Sequence, residues 1–116
     1  MEITALYCRI ASSNQRDNDV VENQLKLLRD FASSHGYTNC YEYVDIGYSG
    51  NNMVRPSILQ LNDDIEAGKI KRVIVRTVDR IARDNFLCSE WVNGIEAKGV
   101  EFIAIDGGRP LNMVAS

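Results

Sequence analysis

The sequence predicts an α/β fold, a three-layer sandwich in which helices cover both faces of a mainly parallel sheet. Three observations predict it. Apolar segments with strand preference alternate regularly with segments of helical periodicity. Residues 70–75 contain the continuous apolar run Val73-Ile74-Val75, which is typical of a strand covered on both faces. The length, 116 residues, suits one domain with one hydrophobic core.

The first half of the chain supplies two strands and the helix between them. Residues 3–8 predict a strand, and a polar loop follows from Arg9. A helix begins near Asp17, because acidic residues suit the positive end of a helix dipole, and Gly36 ends it. Residues 37–44, rich in aromatic and β-branched side chains, predict the second strand. The helix buries apolar residues that recur at helical spacing: Val21, Leu25, Leu28 and Ala32.

The middle of the chain predicts a loop, a helix and a strand. Glycines and asparagines mark residues 45–52 as a loop. The second helix begins at Pro56, since proline is favoured in the first helical turn, and ends at Gly68. Residues 70–75 are the third strand, and a polar, charged segment follows at 77–83.

The last part of the chain predicts one more helix and one more strand. Asp84 is a candidate N-terminal cap, since its carboxylate can accept a hydrogen bond from the first helical turn. Gly99 ends this helix, and residues 100–105 form the fourth strand. The apolar face of the helix repeats every four residues, at Leu87, Trp91 and Ile95.

Composition excludes several classes of protein. The hydrophobic fraction is 45% and the charged fraction 25%, which is ordinary for a folded globular domain. No apolar run is long enough to span a membrane, and no secretory signal is apparent, so we expect no membrane partner. The three cysteines lack a CxxC pair, which argues against zinc or a disulfide framework and predicts a cytoplasmic location.

Polar residues follow three of the predicted strands, where a parallel sheet binds its ligands. Four arginines among hydroxyls and carboxylates predict a site for a phosphodiester, because guanidinium groups pair with phosphate oxygens and stabilise developing negative charge. The alternative is that each arginine is a surface residue paired with a nearby aspartate. The residues are Arg9, Ser12, Ser13 and Gln15 after the first strand, Asp45, Ser49 and Arg55 after the second, and Asp79, Arg80 and Arg83 after the third.

Other chemistries lack the residues they need. His35 is the only histidine, and its place at a helix end does not support acid–base catalysis. Cys8 does not begin a Cys-x5-Arg phosphatase motif, since Asn14 stands where the arginine would be. There is no glycine-rich loop followed by Lys-Ser/Thr, and no loop has enough carboxylates for a two-metal site. We therefore expect neither a metal nor another cofactor. A phosphate or nucleotide binder of flavodoxin-like architecture is a further alternative.

In combination, the motifs resemble the N-terminal catalytic domain of the serine site-specific recombinases, the resolvase/invertase family. Residues 7–15 resemble the family's Tyr-x-Arg-Val-Ser-Thr-x-x-Gln motif. Residues 47–50, followed by Arg55-Pro56, resemble its Gly-Tyr-Ser-Gly loop and Arg-Pro helix start. Residues 78–83 resemble its Leu-Asp-Arg-Leu-Gly-Arg segment, and residues 100–105 are similar to the strand that follows.

The resemblance implies a resolvase-like fold of Rossmann-like topology and a metal-free DNA strand transferase. In this family a serine hydroxyl attacks a DNA phosphodiester, forms a 5′-phosphoserine and later religates the strand. The enzyme serves site-specific recombination: resolution, inversion or DNA integration, often in mobile elements. By position, the phosphate-binding arginines of the family match Arg9, Arg55, Arg80 and Arg83. Its supporting site residues match Gln15, Ser49 and Asp79.

One departure from the family motif concerns the nucleophile. The family's serine falls on Ala11, which has no hydroxyl. Three explanations remain open: Ser12 takes over after a small shift of the loop, the alanine is an engineered substitution, or the chain is a naturally inactive pairing or regulatory module. Ile46 and Ala82 also replace residues that are often polar or glycine in the family.

The resemblance also predicts what the chain lacks and what it binds. Residues 1–116 correspond to the catalytic domain, and the dimerisation helix and separate DNA-binding domain of the family are absent or truncated. The net charge of −3 agrees with this, since a free-standing DNA-binding domain is usually basic. We expect DNA to be bound mainly through those missing regions, and the full-length protein to act as a homodimer or tetramer.

Overall fold

The protein is described here by a computed structural model covering residues 2–10, 16–48 and 53–106, with only the backbone for residues 16–18. Strands and helices alternate through these ranges, and a short 3-10 turn follows the third strand. In chain order they are β1 Ile3–Ile10, α1 Arg16–Ser34, β2 Cys40–Ile46, α2 Pro56–Glu66, β3 Ile70–Val75, the 3-10 turn Val78–Arg80, α3 Asn85–Ala97 and β4 Glu101–Ala104.

The strands form one parallel sheet in the order β2-β1-β3-β4. Leu6 of the central strand β1 pairs with Glu42 on one side and Ile74 on the other. One face of the sheet packs on α1, and the other packs on α2 and α3. The predicted three-layer α/β sandwich with a mainly parallel sheet is confirmed.

Local sequence signals place the helix starts as predicted. Pro56 occupies the first turn of α2, directly after Arg55 in an extended conformation. Asp84 caps α3, where its Oδ1 accepts a hydrogen bond from the Leu87 backbone N–H at 3.0 Å. The predicted bounds of β3, residues 70–75, agree with the structure.

Three predicted boundaries were wrong: the end of β1 and both ends of β2. Strand β1 continues to Ile10, which pairs with Ile46, so Arg9 belongs to the strand and not to a loop. Strand β2 correspondingly includes Asp45 and Ile46. Its start was predicted too early because the Tyr37 N–H still donates to the Ala32 carbonyl at 2.9 Å and so completes the end of α1. Backbone pairing between β1 and β2 therefore outweighs the polar character of Arg9 and Asp45.

Within the described ranges, no helix combines the length and the apolar character that a membrane span requires.

Replacing Asp84 should destabilise the fold through its helix cap. We expect Asp84→Ala to lower the free energy of unfolding by about 1 kcal/mol, because the Leu87 N–H loses its acceptor. Asp84→Asn, which keeps a side-chain oxygen, should retain most of that stability. Urea denaturation measures both values, and equal losses in the two variants would contradict a capping role.

Candidate functional site

Arg9 joins the ends of three neighbouring segments at the carboxyl edge of the sheet. Its Nε donates to the Arg80 carbonyl at 3.1 Å, Nη1 to the Tyr48 carbonyl at 3.0 Å and Nη2 to the Asp79 carbonyl at 2.8 Å. The side chain is buried, with 1% of its surface exposed. Arg9 therefore fixes the backbone at the end of β1 against the loops that follow β2 and β3.

Arg55 approaches the same backbone from the start of α2. Its Nη1 donates to the Arg80 carbonyl at 3.2 Å, and its Nη2 donates to the Ile81 carbonyl. It is as deeply buried as Arg9. Two guanidinium groups thus share one carbonyl oxygen, that of Arg80.

A buried tyrosine and aspartate complete the network behind these arginines. Tyr7 lies two residues before Arg9, so both side chains leave the same face of β1. Its hydroxyl accepts a hydrogen bond from Arg55 Nη1 at 2.9 Å and donates to Asp45 Oδ2 at 2.8 Å. Asp45 also accepts the backbone N–H groups of Ser57 at 2.8 Å and Ile58 at 3.0 Å. A carboxylate at a helix N-terminus is favoured by the helix dipole.

Tyr7 was not among the predicted site residues, although it belongs to the same motif as Arg9. The alternation of side chains along a strand was the signal that could have identified it. Asp45 was predicted at this edge of the sheet, but it contacts the arginines through the Tyr7 hydroxyl and not directly. Burial raises the pKa of Tyr7 above its ordinary value, so the phenol stays protonated and can donate.

Arg80 differs from Arg9 and Arg55 in having a guanidinium N–H group without a hydrogen-bond acceptor among the described residues. Its Nη1 donates to the Arg9 carbonyl at 2.8 Å. Its Nε lies 3.7 Å from Asp79 Oδ1 and is buried without a hydrogen-bond acceptor among the described residues. Asp79 Oδ1 instead accepts the hydroxyl of Thr77. A buried N–H without an acceptor costs free energy, which an incoming anion would recover.

The electrostatics of this cluster favour an anion. Burial lowers the pKa of Arg9, and the positive charges of Arg55 and Arg80 lower it further. Three cations close together repel one another strongly where water is excluded. A phosphate group placed beside them would relieve that repulsion.

The structure brings together part of the predicted set of site residues. Arg9, Arg55, Arg80 and Asp79 contact one another through side chains or backbone. Arg83 is exposed, and within the described ranges no hydrogen bond joins it to the other three arginines. The remaining predicted residues lie outside the described residues: Ala11, Ser12, Ser13, Gln15 and Ser49.

A cavity of about 390 Å³ opens beside this cluster. At its rim Arg76 Nε pairs with Asp106 Oδ2 at 3.3 Å. The cavity brings solvent to Arg80, whereas Arg9 and Arg55 stay covered. Its lining consists of Arg76, Thr77, Val78, Asp79, Arg80 and Asp106.

Metal binding and thiol chemistry find no support at this edge. Among the described residues, no group of histidine, cysteine, aspartate and glutamate side chains could hold a metal ion. The absence of a cofactor stays a prediction.

Cys8 is fully buried, and burial raises the pKa of its thiol to about 11. The thiolate that a cysteine nucleophile needs is therefore scarce at neutral pH.

The buried Cys8 thiol should make the free energy of unfolding fall as the pH rises in the alkaline range. An unfolded thiol ionises near pH 8.5, roughly, whereas the folded pKa is about 11. The stabilisation is fully present below the unfolded pKa and is lost as pH rises through the folded pKa. We expect Cys8→Ala to flatten the fall in the free energy of unfolding between those two pH values, measured by urea denaturation. Cys40→Ala, at a half-buried thiol, should reduce this fall less. If the free energy of unfolding falls with pH in Cys8→Ala as steeply as in the parent protein, the burial of Cys8 does not have this effect.

Comparisons with known proteins agree with the fold and the motifs. Residues 4–114 match the family described as Resolvase, N terminal domain. The chain is 26% identical to the N-terminal catalytic domain of TP901-1 integrase, with a TM-score of 0.82 over 90% of this chain and 78% of that one. It is 25% identical to a resolvase family site-specific recombinase from Streptococcus pneumoniae, with a TM-score of 0.77 over 97% of this chain and 78% of that one.

A curated relative carries the same family name. A protein of Acanthamoeba polyphaga mimivirus that is named as a resolvase is 32% identical over 85 residues, which are 73% of this chain and 40% of that protein. The chain thus spans about two fifths of the length of the curated relatives it matches, 40% and 41%. The resemblance predicted from the motifs is confirmed: the chain belongs to the resolvase family and corresponds to its N-terminal domain.

Proposed function

We propose that this chain is the catalytic part of a site-specific DNA recombinase that cleaves and rejoins DNA strands through a serine ester. The observation that carries the proposal is the convergence of Arg9 and Arg55 on the carbonyl of Arg80. The Arg80 side chain in turn donates to the Arg9 carbonyl, and its Nε–H is left without an acceptor among the described residues. Such a cluster suits a group whose negative charge grows during the reaction.

The proposed reaction is a pair of transesterifications. A serine oxygen bonds to phosphorus, the bond to the 3′ oxygen breaks, and the departing 3′ oxygen takes up a proton while the serine hydroxyl loses one. The 5′ phosphate stays joined to the protein. A 3′ hydroxyl of the partner strand then loses its proton and bonds to the same phosphorus, the bond from phosphorus to the serine oxygen breaks, and the serine oxygen takes up a proton. Arg80, beside the open cavity, stabilises the charge of the five-coordinate phosphorus.

DNA recognition in this proposal depends on regions outside this chain. The net charge of −3 is unsuited to holding a polyanion through long-range attraction. The chain matches only 40% of the length of one relative. The unmatched part of such a relative is long enough to contain a DNA-binding region and a dimerisation helix. We propose a cytoplasmic homodimer or tetramer for the full-length protein, with DNA as its substrate.

Ala11 favours a second candidate function. Without a hydroxyl at that position, the domain would keep the fold and the arginine cluster but serve as a pairing or regulatory module for active recombinases. Ser12, the next residue, is the alternative nucleophile if the chain itself cleaves DNA. The arginine cluster alone does not separate these functions, because a phosphate-binding site suits both.

Restoring the hydroxyl should decide between the two functions. We expect Ala11→Ser, in the full-length protein with a nicked suicide substrate, to form a covalent DNA adduct at position 11, detected by mass spectrometry. Adding Arg80→Ala should slow adduct formation by about 10²-fold or more, because a donor to the developing charge is lost.

Controls separate the outcomes. An adduct at Ser12 in the parent protein, lost in Ser12→Ala, would make Ser12 the natural nucleophile. If Ala11→Ser binds its DNA and still forms no adduct, the recombinase proposal is wrong and the module function is supported.

A further inference from the structure

Arg55 has no Nη hydrogen to spare for a ligand. The two Nη1 hydrogens are matched by the Tyr7 hydroxyl at 2.9 Å and the Arg80 carbonyl at 3.2 Å. Those on Nη2 are matched by the Ile81 carbonyl and by Met53 Sδ at 3.7 Å. With 1% of its surface exposed, the side chain would have to break a buried hydrogen bond before Nη1 or Nη2 could reach a phosphate.

Arg80 is placed in the opposite way. Its side chain is 29% exposed and lines the cavity, so part of the guanidinium group can meet a phosphate there. Its Nε, although buried, has no acceptor among the described residues. The two arginines therefore differ in what they can donate, although the family resemblance assigns both of them to phosphate binding.

A continuous chain of hydrogen bonds joins the start of α2 to the backbone of Arg80. The Ile58 N–H donates to Asp45, which accepts the Tyr7 hydroxyl, which in turn accepts Arg55 Nη1. Arg55 then donates to the carbonyl of Arg80. Tyr7 is fully buried in β1, an inner strand of the sheet, so these hydrogen bonds are anchored in the hydrophobic core.

We propose that Tyr7 and Arg55 are positioning residues, which hold the backbone of Arg80 so that its side chain meets the phosphate, and that Arg55 does not contact the phosphate itself. The proposal rests on the proposed function, since it names the division of work within that site. Arg55 acts through the carbonyl it binds, and Tyr7 acts by fixing the orientation of the Arg55 guanidinium.

NMR spectra of the arginine Nε–Hε groups test this in the full chain, with inorganic phosphate as the probe. In the parent protein we expect phosphate to shift the Arg80 signal and to leave the Arg55 signal in place. Tyr7→Phe should raise the dissociation constant for phosphate about fivefold to tenfold, because losing one hydrogen bond loosens the group that holds Arg80.

Tyr43→Phe is the matched control. Its hydroxyl also donates to a carboxylate, Asp64 at 2.7 Å, and the residue is 7% exposed. A merely structural effect of losing a buried hydroxyl should appear in both variants, whereas weaker phosphate binding should appear only in Tyr7→Phe. Both are measured at a temperature where thermal denaturation shows them to be folded.

The outcomes are distinguishable. An Arg55 signal that moves with phosphate as much as that of Arg80, or unchanged phosphate affinity in Tyr7→Phe, would overturn the positioning roles while leaving an anion site in place. If phosphate moves neither signal in the parent protein, the anion site itself is wrong and the proposed function loses its basis.

Discussion

Two buried guanidinium groups that donate to one carbonyl oxygen are the interaction on which this edge of the molecule depends. Burying a single cation costs several kcal/mol unless hydrogen bonds replace its water. Arg9 and Arg55 meet that requirement with backbone carbonyls and the Tyr7 hydroxyl. Their acceptors lie in segments far apart along the chain, so the same contacts that solvate the charges also fix the loops at the ends of the strands.

The backbone after β3 is shaped to meet these charges. The turn at Val78–Arg80 is a 3-10 turn, in which the N–H groups of Arg80 and Ile81 donate to the carbonyls of Thr77 and Val78. The turn stops there, so the next three carbonyls, of Asp79, Arg80 and Ile81, are left to accept guanidinium hydrogens. A longer helix would use those carbonyls internally. Because the turn is short, these carbonyls can bind the guanidinium groups of Arg9 and Arg55 at the edge of the sheet.

The sequence was sufficient for the layers of the fold but not for the partners of the arginines. Strand and helix patterns, with Pro56 and Asp84 as start signals, depend on neighbouring residues and could be read locally. The partners of Arg9 could not be predicted from the local sequence, because two of its acceptors stand 70 and 71 positions away. An arginine is also compatible with an exposed loop, so the residue type alone does not indicate burial. The gathering of Arg9, Arg55 and Arg80 was anticipated from parallel topology, whereas their unequal burial depends on packing that no local pattern records.

A crystal structure of the chain grown with phosphate would test the central claim most directly. The prediction is one anion on the cavity side of the Arg80 guanidinium, with the Arg9 and Arg55 guanidinium groups still bound to the carbonyls of residues 79–81. Electron density that places those two guanidinium groups in solvent, away from the carbonyls, would contradict it.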